Sequence, residues 1–343
     1  MDLLWRGGFF AEFIKEYCYT KKRLPFPAYV CDNNKSLWGE KVAGVVVEPP
    51  EKMAAETVED CVIVISSALP YSIMSDLMLK YQKHYYCIIT LVQLQTYFFI
   101  KNNKEKLRDI SELFEDTKSK DHYVRYFKLL LESSFNFLPV YTQNAYWDND
   151  LIGHLKDGEV VVYAGAYDGK HIDRALKSNS NAIIHGFEPN APFAERLQKR
   201  YKDKENVFIH NYALYDERTV LSFDSSVELS AKVINDKNIN GVMANQDLTS
   251  IKTVKLDDEV FGKVDLIALD VEGSEMKALW GSRKIIEKDR PKLAICVYHS
   301  LQDYIDIPKK ILELNPNYKL YFRHHSPASI ESVVYAIDGG KYE

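Results

Sequence analysis

Short apolar runs closed by turn residues alternate along this chain with stretches of helical period, the pattern of parallel α/β layering. Over residues 1–105, runs at 3–5, 27–31, 45–47 and 61–66 predict strands, and 71–81 predicts a helix. A further helix is expected after Arg6-Gly7-Gly8, with Phe10, Phe13, Ile14 and Tyr17 near one face. Residues 106–150 read as a helical connector, charged at first and then apolar along Tyr126, Leu129 and Leu130. A second α/β unit is expected from 151 to 343. Its strands are predicted at 160–163, 182–187, 207–211, 266–269, 292–298, 318–322 and 332–337, and its helices at 171–177, 192–201 and 303–314. Extended pieces are expected at 220–223 and 253–256, with an irregular polar segment around 235–245 between them.

The run Leu266-Ile-Ala-Leu-Asp270-Val-Glu272-Gly273-Ser-Glu275 adds chemistry to this outline. Its four apolar positions suit a buried parallel strand, and three acids follow at the carboxyl end, where open α/β sheets bind ligands. Helix capping alone would account for one acid; three clustered at a strand end point to a site. Two other strand ends converge with it. Strand 160–163 runs into Gly165-Ala-Tyr-Asp168-Gly169, where absent side chains let a ligand approach the backbone. Strand 182–187 ends at Glu188, about 20 residues further on, a position from which an acid holds ribose hydroxyls.

Together these features describe an adenosine-type pocket. A dinucleotide calls for the fuller G-x-G-x-x-G turn, so that a helix N-terminus receives the pyrophosphate. Here the turn is G-x-x-x-G, and Asp168 would repel a pyrophosphate. S-adenosylmethionine has no phosphate and carries a positive sulfonium and ammonium, so charge favours the methyl donor over NAD.

The motifs Tyr163-Ala-Gly-Ala-Tyr-Asp-Gly169, Phe187-Glu-Pro189, Asn211-Tyr-Ala-Leu214, Lys255-Leu-Asp-Asp258, Asp270-Val-Glu-Gly-Ser-Glu275 and Tyr298-His299 stand in an order and spacing that resembles the FkbM family of S-adenosylmethionine-dependent methyltransferases. The later Arg323-His-His-Ser326 and Glu331-Ser-Val-Val-Tyr-Ala336 fit as well, so the resemblance covers about residues 145–337. It implies a Rossmann-like α/β fold, a seven-stranded methyltransferase sheet with its last strand antiparallel, following a smaller N-terminal Rossmann-like domain. It also implies O-methylation of a hydroxyl on a sugar, glycan precursor or related natural product. By this resemblance Gly165 and Gly169 flank the methionine part of the donor, Ala166 and Asp168 between them are cofactor-binding, and Glu188 holds the ribose. Ala213 and Leu214 lie near the adenine, Asn211 belongs to the cofactor-binding set, and Asp270 and Glu272 face the transferred methyl group and the acceptor. Two positions depart from the family pattern. Tyr163 stands where the family has an Asp that places the donor ammonium, with Tyr163 itself or Asp168 as substitutes. Ala268 stands where a lysine is common.

Methyl transfer to a hydroxyl needs alignment of donor and acceptor and a base for the released proton. His299, which ends the strand after Asp270, is the first candidate base; Asp270 and Glu272 are alternatives. The competing reading makes His299 a cap of the helix near Asp303. Acids alone do not fix a metal, and none is assigned. Of His324 and His325, one is expected to line the acceptor site and the other to face solvent.

Composition narrows the partners. With a net charge of -5 and a pI near 6.0, the chain lacks the basic balance of a general nucleic-acid binder. The five cysteines form no CxxC pair, so neither a zinc site nor a disulfide framework is signalled, and a reducing interior is the simplest setting. No signal peptide is read at the start, and the apolar stretch 85–100 contains Gln93 and Gln95 and is too short to span a bilayer. A cytoplasmic protein is expected. In the first domain, Gly7-Gly8 with Asp32 offers a weak nucleotide or nucleotide-sugar site, and Arg6 could meet a phosphate. The alternative is a recognition or dimerisation scaffold, which leaves a homo-oligomer open. An NAD-dependent reading would need a Tyr-x-x-x-Lys pair facing a nicotinamide. Tyr17 with Lys21 and Tyr97 with Lys101 have the spacing but not the place. A third reading is a non-catalytic binding protein whose donor site has decayed at Tyr163.

Overall fold

The structure is a computed structural model that describes residues 27–32, 34–56, 62–65, 87–132, 144–224, 233–234, 248–326 and 330–340. The chain divides into two compact units, residues 1–98 and 99–343. Arg6, Gly7, Gly8, Tyr17 and Lys21, and with them the expected glycine turn and first helix, lie outside the described residues.

In the first unit, β1 (Val30–Cys31) pairs parallel with β3 (Val45–Glu48), which pairs antiparallel with β2 (Lys41–Val42). Helix α1 (Pro50–Ala55) starts on the proline pair, where a missing N–H costs nothing. β4 (Val62–Ile65) and β5 (Cys87–Thr90) form a separate parallel pair. Asp32 is buried at the end of β1, and its carboxylate accepts from the Asn34 amide at 2.7 Å.

Helix α2 (Leu91–Glu112) contributes Leu107 and Ile110 to the core of the second unit. Helix α3 (Thr117–Glu132) buries Tyr126, Leu129 and Leu130, the apolar face read from the sequence, and Tyr123 and Phe127 with them. The central sheet of this unit is built from β6 (Val160–Ala164), β7 (Ile183–Phe187), β8 (Val207–His210), β13 (Leu266–Leu269), β14 (Lys292–Cys296), β15 (Tyr318–His324) and β16 (Ser332–Asp338). Their spatial order is β15-β16-β14-β13-β6-β7-β8. β16 runs antiparallel to both its neighbours and every other pairing is parallel, so the seven-stranded sheet with an antiparallel last strand is as expected. The strand order reverses between β6 and β13, which opens a crevice at their carboxyl ends.

Two apolar layers sandwich the sheet. Along β6, Val162 and Ala164 join one core, while Val161 and Tyr163 join the other, the two-residue alternation of a strand buried on both faces. Helices α4 (Lys170–Ser178), α5 (Ala191–Arg200), α6 (Glu275–Gly281), α7 (Arg283–Asp289) and α8 (Asp303–Leu314) follow the strands. A second small sheet joins β9 (Ala213–Leu214), β10 (Val220–Asp224), β11 (Val233–Ile234) and β12 (Leu248–Val254) in the order β11-β10-β12-β9. The segment expected to be irregular, 235–245, lies outside the described residues. No helix among the described residues is long and apolar enough to cross a membrane.

Arg323 is a structural anchor of this unit. Its guanidinium is buried and donates to Asp116 (2.7 Å), Asp150 (2.9 Å) and Ser119 Oγ (2.7 Å), tying β15 to the start of α3. Burial would raise the Asp150 carboxyl, but Arg323 and Lys118 outweigh it and hold its pKa at about 2. Because the folded value is depressed, this contribution is present above the unfolded carboxylate value of about 3.9 and disappears as pH falls towards about 2. Arg323→Met is expected to cost about 2–3 kcal/mol at pH 7, the range of charged hydrogen bonds. Both carboxylates keep partial access to water, so the loss stays below that of a fully buried pair. Urea unfolding measures it; a loss under about 0.5 kcal/mol would remove Arg323 from this role.

Candidate active site

The glycine turn is fixed by the reversal of strand order. Gly165 and Ala166 both donate their amides to Phe187 O at 3.0 Å, binding the end of β6 to the end of β7. Gly165 has φ +92°, and a Cβ there would lie 2.0 Å from the Asp270 carbonyl oxygen. Gly169 (φ +79°) closes the turn by donating to Ala166 O and opens α4. Asp168 uses Oδ1 to accept from the Lys170 amide, so this exposed carboxylate caps the helix.

Glu188 is buried at the end of β7, 6% exposed. Oε2 accepts from Tyr167 N at 2.8 Å and Oε1 from Asn190 N at 2.9 Å. Burial pushes its pKa up, and the two backbone donors moderate the rise. Each carboxylate oxygen keeps one lone-pair direction for a ligand hydroxyl. Asn211, just beyond β8, donates to Glu188 O and Pro189 O and so holds the neighbouring strand ends together. It also lines a cleft of about 310 Å³ with Gln198, Tyr212 and Lys252. Ala213 and Leu214 pair parallel with β12, and Leu214 is buried.

Tyr163 is buried, and its phenol is held by Tyr146. Its ring is buried among Tyr146, Trp147 and His171, with centroids 5.3, 5.8 and 5.3 Å away. Ala268 is likewise buried, on β13.

On the other side of the turn, Asp270 follows β13. Tyr298 donates to Oδ1 at 2.8 Å and Tyr146 to Oδ2 at 2.9 Å. Burial, with the nearby Asp270 charge, pushes both phenol pKa values well up, so both remain donors near neutral pH. His299 Nε2 lies 3.4 Å from Asp270 Oδ1 and 3.5 Å from Glu272 Oε2, while Nδ1 lies 2.9 Å from Glu275 Oε1. Burial alone would lower the pKa of His299, but Glu275 first, then Asp270 and Glu272, outweigh it and raise the value to about 9. Near pH 7 the ring is therefore an imidazolium, whereas the expected role as base requires the neutral form. Glu275 is buried and also accepts from the Val271 amide at 2.9 Å. The cap at Asp303 is not formed by His299: the Asp303 amide is bonded to Ser300 O. Burial and Glu275, opposed by His299, push the Asp303 carboxyl up to about 7.

The expectations for His324 and His325 need correction. Both are buried: His324 Nδ1 pairs with Ser332 Oγ at 2.9 Å and His325 Nε2 with Tyr335 OH at 2.7 Å. Neither faces solvent, because α3 covers this part of the sheet, with Tyr126 5.2 Å from the His324 ring. Tyr146 was missed altogether. It stands 124 positions from Asp270 in a segment without periodicity, so no local pattern could announce it. Tyr298 was visible as part of its motif, but its contact with Asp270 was not.

Sheet order, glycine turn and strand-end acids define a Rossmann-like methyltransferase fold. Residues 164–324 match the family model described as the methyltransferase FkbM domain. Among solved structures, a methyltransferase FkbM from Methylobacillus flagellatus KT aligns over 87% of this chain and 80% of that one, with a TM-score of 0.63 and 18% identity, which shows a shared fold. Aeropyrum pernix fibrillarin in complex with S-adenosyl-L-methionine aligns over 53% of this chain and 67% of its own, with a TM-score of 0.33 and 11% identity. An rRNA methylase from Streptococcus thermophilus covers 54% and 88%, with a TM-score of 0.34 and 14% identity. Comparison with curated proteins gave no match.

Proposed function

We propose that the chain transfers a methyl group from S-adenosylmethionine to a hydroxyl of a sugar, glycan precursor or related natural product. The observation that carries this reading is the placement of two carboxylates, Glu188 and Asp270, on opposite sides of the Gly165–Gly169 turn at the strand-order reversal. Glu188 takes the ribose hydroxyls, while Gly165, Ala166 and Gly169 leave backbone open to the methionine part. Asn211, Ala213 and Leu214 border the adenine. Asp270, with Glu272 beside it, receives the acceptor proton; the carboxylates suit that task better than a His299 already protonated at neutral pH.

The buried ring of Tyr163, where the family has an acid, favours a second reading: a binding protein with a decayed donor site. Calorimetric titration with S-adenosylmethionine, S-adenosylhomocysteine and NAD separates the two. Micromolar binding of the first two alone supports the methyltransferase; no donor binding sinks it. Glu188→Ala is expected to weaken donor binding by about 1–3 kcal/mol, the range of a hydrogen bond to a charged group. Unchanged affinity would mean that the ribose is held elsewhere.

A further inference from the structure

We propose that Asp270, Glu272 and His299 form a site for one divalent first-row cation of the Mn²⁺ or Zn²⁺ kind, with Glu275 orienting the imidazole. Acids at a strand end do not by themselves make such a site. The second observation is His299. Its side chain is only 6% exposed, and neither ring nitrogen has an aligned hydrogen-bond partner among the described residues. The 2.9 Å approach of Glu275 to Nδ1 is close but off the N–H direction. Buried polar atoms without partners are uncommon and call for a ligand or an ion.

The spacing fits. Two donors bound to one ion at about 2.1 Å stand roughly 3.0–3.5 Å apart, depending on geometry. Nε2 lies 3.4 Å from Asp270 Oδ1 and 3.5 Å from Glu272 Oε2. Donor atoms of Asp270, Glu275 and His299 all fall within 4.8 Å of one another. Asp270 keeps capacity for the ion, because each oxygen accepts one tyrosine hydroxyl and retains a second lone pair. Glu275 Oε1, 2.9 Å from Nδ1, is within reach of the carboxylate–histidine arrangement that would fix the tautomer and turn Nε2 towards a metal once the ring aligns with it. One nitrogen with carboxylate oxygens suits Mn²⁺ or Zn²⁺ better than Mg²⁺ or Ca²⁺, which prefer oxygen alone. The neutral ring is the ligand, so a proton leaves as the cation enters.

The ligand set stands independently of the reaction. That the cation holds an acceptor oxygen beside the methyl donor rests on the methyltransferase reading. Chelator-treated protein, titrated calorimetrically with MnCl₂ and ZnCl₂ without methyl donor, is expected to bind one equivalent of at least one of them. His299→Gln should abolish this binding, and Glu275→Gln should weaken it about 10–100-fold. Glu272→Gln, at a half-buried position outside regular structure, keeps the fold readable by circular dichroism and should weaken it at least tenfold. Absence of stoichiometric binding by the wild-type chain overturns the site, as does equal binding by folded Glu272→Gln and wild type. Donor titration on the same preparation separates the outcomes: retained S-adenosylmethionine binding with no cation bound removes only the cation.

Discussion

Asp270→Asn is expected to lower turnover by about 10²- to 10⁴-fold, the scale of a lost positioned base, with much less change in donor affinity. The substitution keeps the size of the side chain but removes its charge. Two phenols donate to this carboxylate, from buried Tyr146 and half-buried Tyr298, and His299 lies 3.4 Å away. An amide presents one oxygen and one donor nitrogen, so one tyrosine hydroxyl loses its acceptor. The imidazolium also loses a counter-charge. Steady-state rates on a hydroxylated acceptor that the wild-type chain methylates, set beside donor calorimetry, measure the split. An equal loss in rate and donor affinity would make Asp270 a donor-binding residue and refute its place at the acceptor.

Gly165→Ala should weaken S-adenosylmethionine binding at least tenfold and lower the melting temperature. Two costs act together. A non-glycine residue at φ +92° carries strain of about 1–3 kcal/mol. The added methyl also meets a backbone oxygen, that of Asp270, at 2.0 Å, and a main-chain atom cannot swing aside like a side-chain tip. Asp270 N donates to Ala164 O, so a retreat breaks the pairing of β6 with β13. Gly153→Ala is the control: its φ is +70°, and nothing lies within 4 Å of the added carbon. The difference between the two variants isolates the collision. Equal melting temperatures and unchanged donor affinity would show that the turn relaxes freely and that the crevice does not depend on it.

Much of the fold was legible because parallel strands covered on both faces are written as continuous apolar runs. Leu266–Leu269 and Val160–Ala164 are buried along nearly their whole length. Helix α8 was equally plain, since Tyr304, Ile305, Ile307, Pro308 and Ile311 make one buried face behind Asp303. The small second sheet was less so. Its strand β9 has two residues, too few for any period, and β12 ends at Val254, before the expected extended piece closes. In the site, strand-end residues could be listed from the sequence, but their partners could not. Tyr146, Asp270 and His299 meet only because the chain returns to adjacent strands. The charge state of His299 depends on three acids whose distances no spacing encodes. The burial of His324 and His325 was hidden for a related reason: polar aromatic side chains look exposed until a helix from elsewhere covers them.

The interior position of β6 bears on how the chain is made. Of this sheet, β6, β7 and β8 leave the ribosome first, yet the inner neighbour of β6 is β13, whose flanking Asp265 lies 105 positions from its partner Val160. Until that partner arrives, the three-stranded parallel sheet leaves open not only its β8 edge but also a β6 edge made of Val160, Val161 and Val162. Such an edge invites pairing with another chain, and long-range parallel pairing is slow. Chains that stop before β13 therefore carry an uncapped, apolar strand edge and should aggregate, whereas full-length chains close it with β13 and finish the sheet with the β15–β16 hairpin.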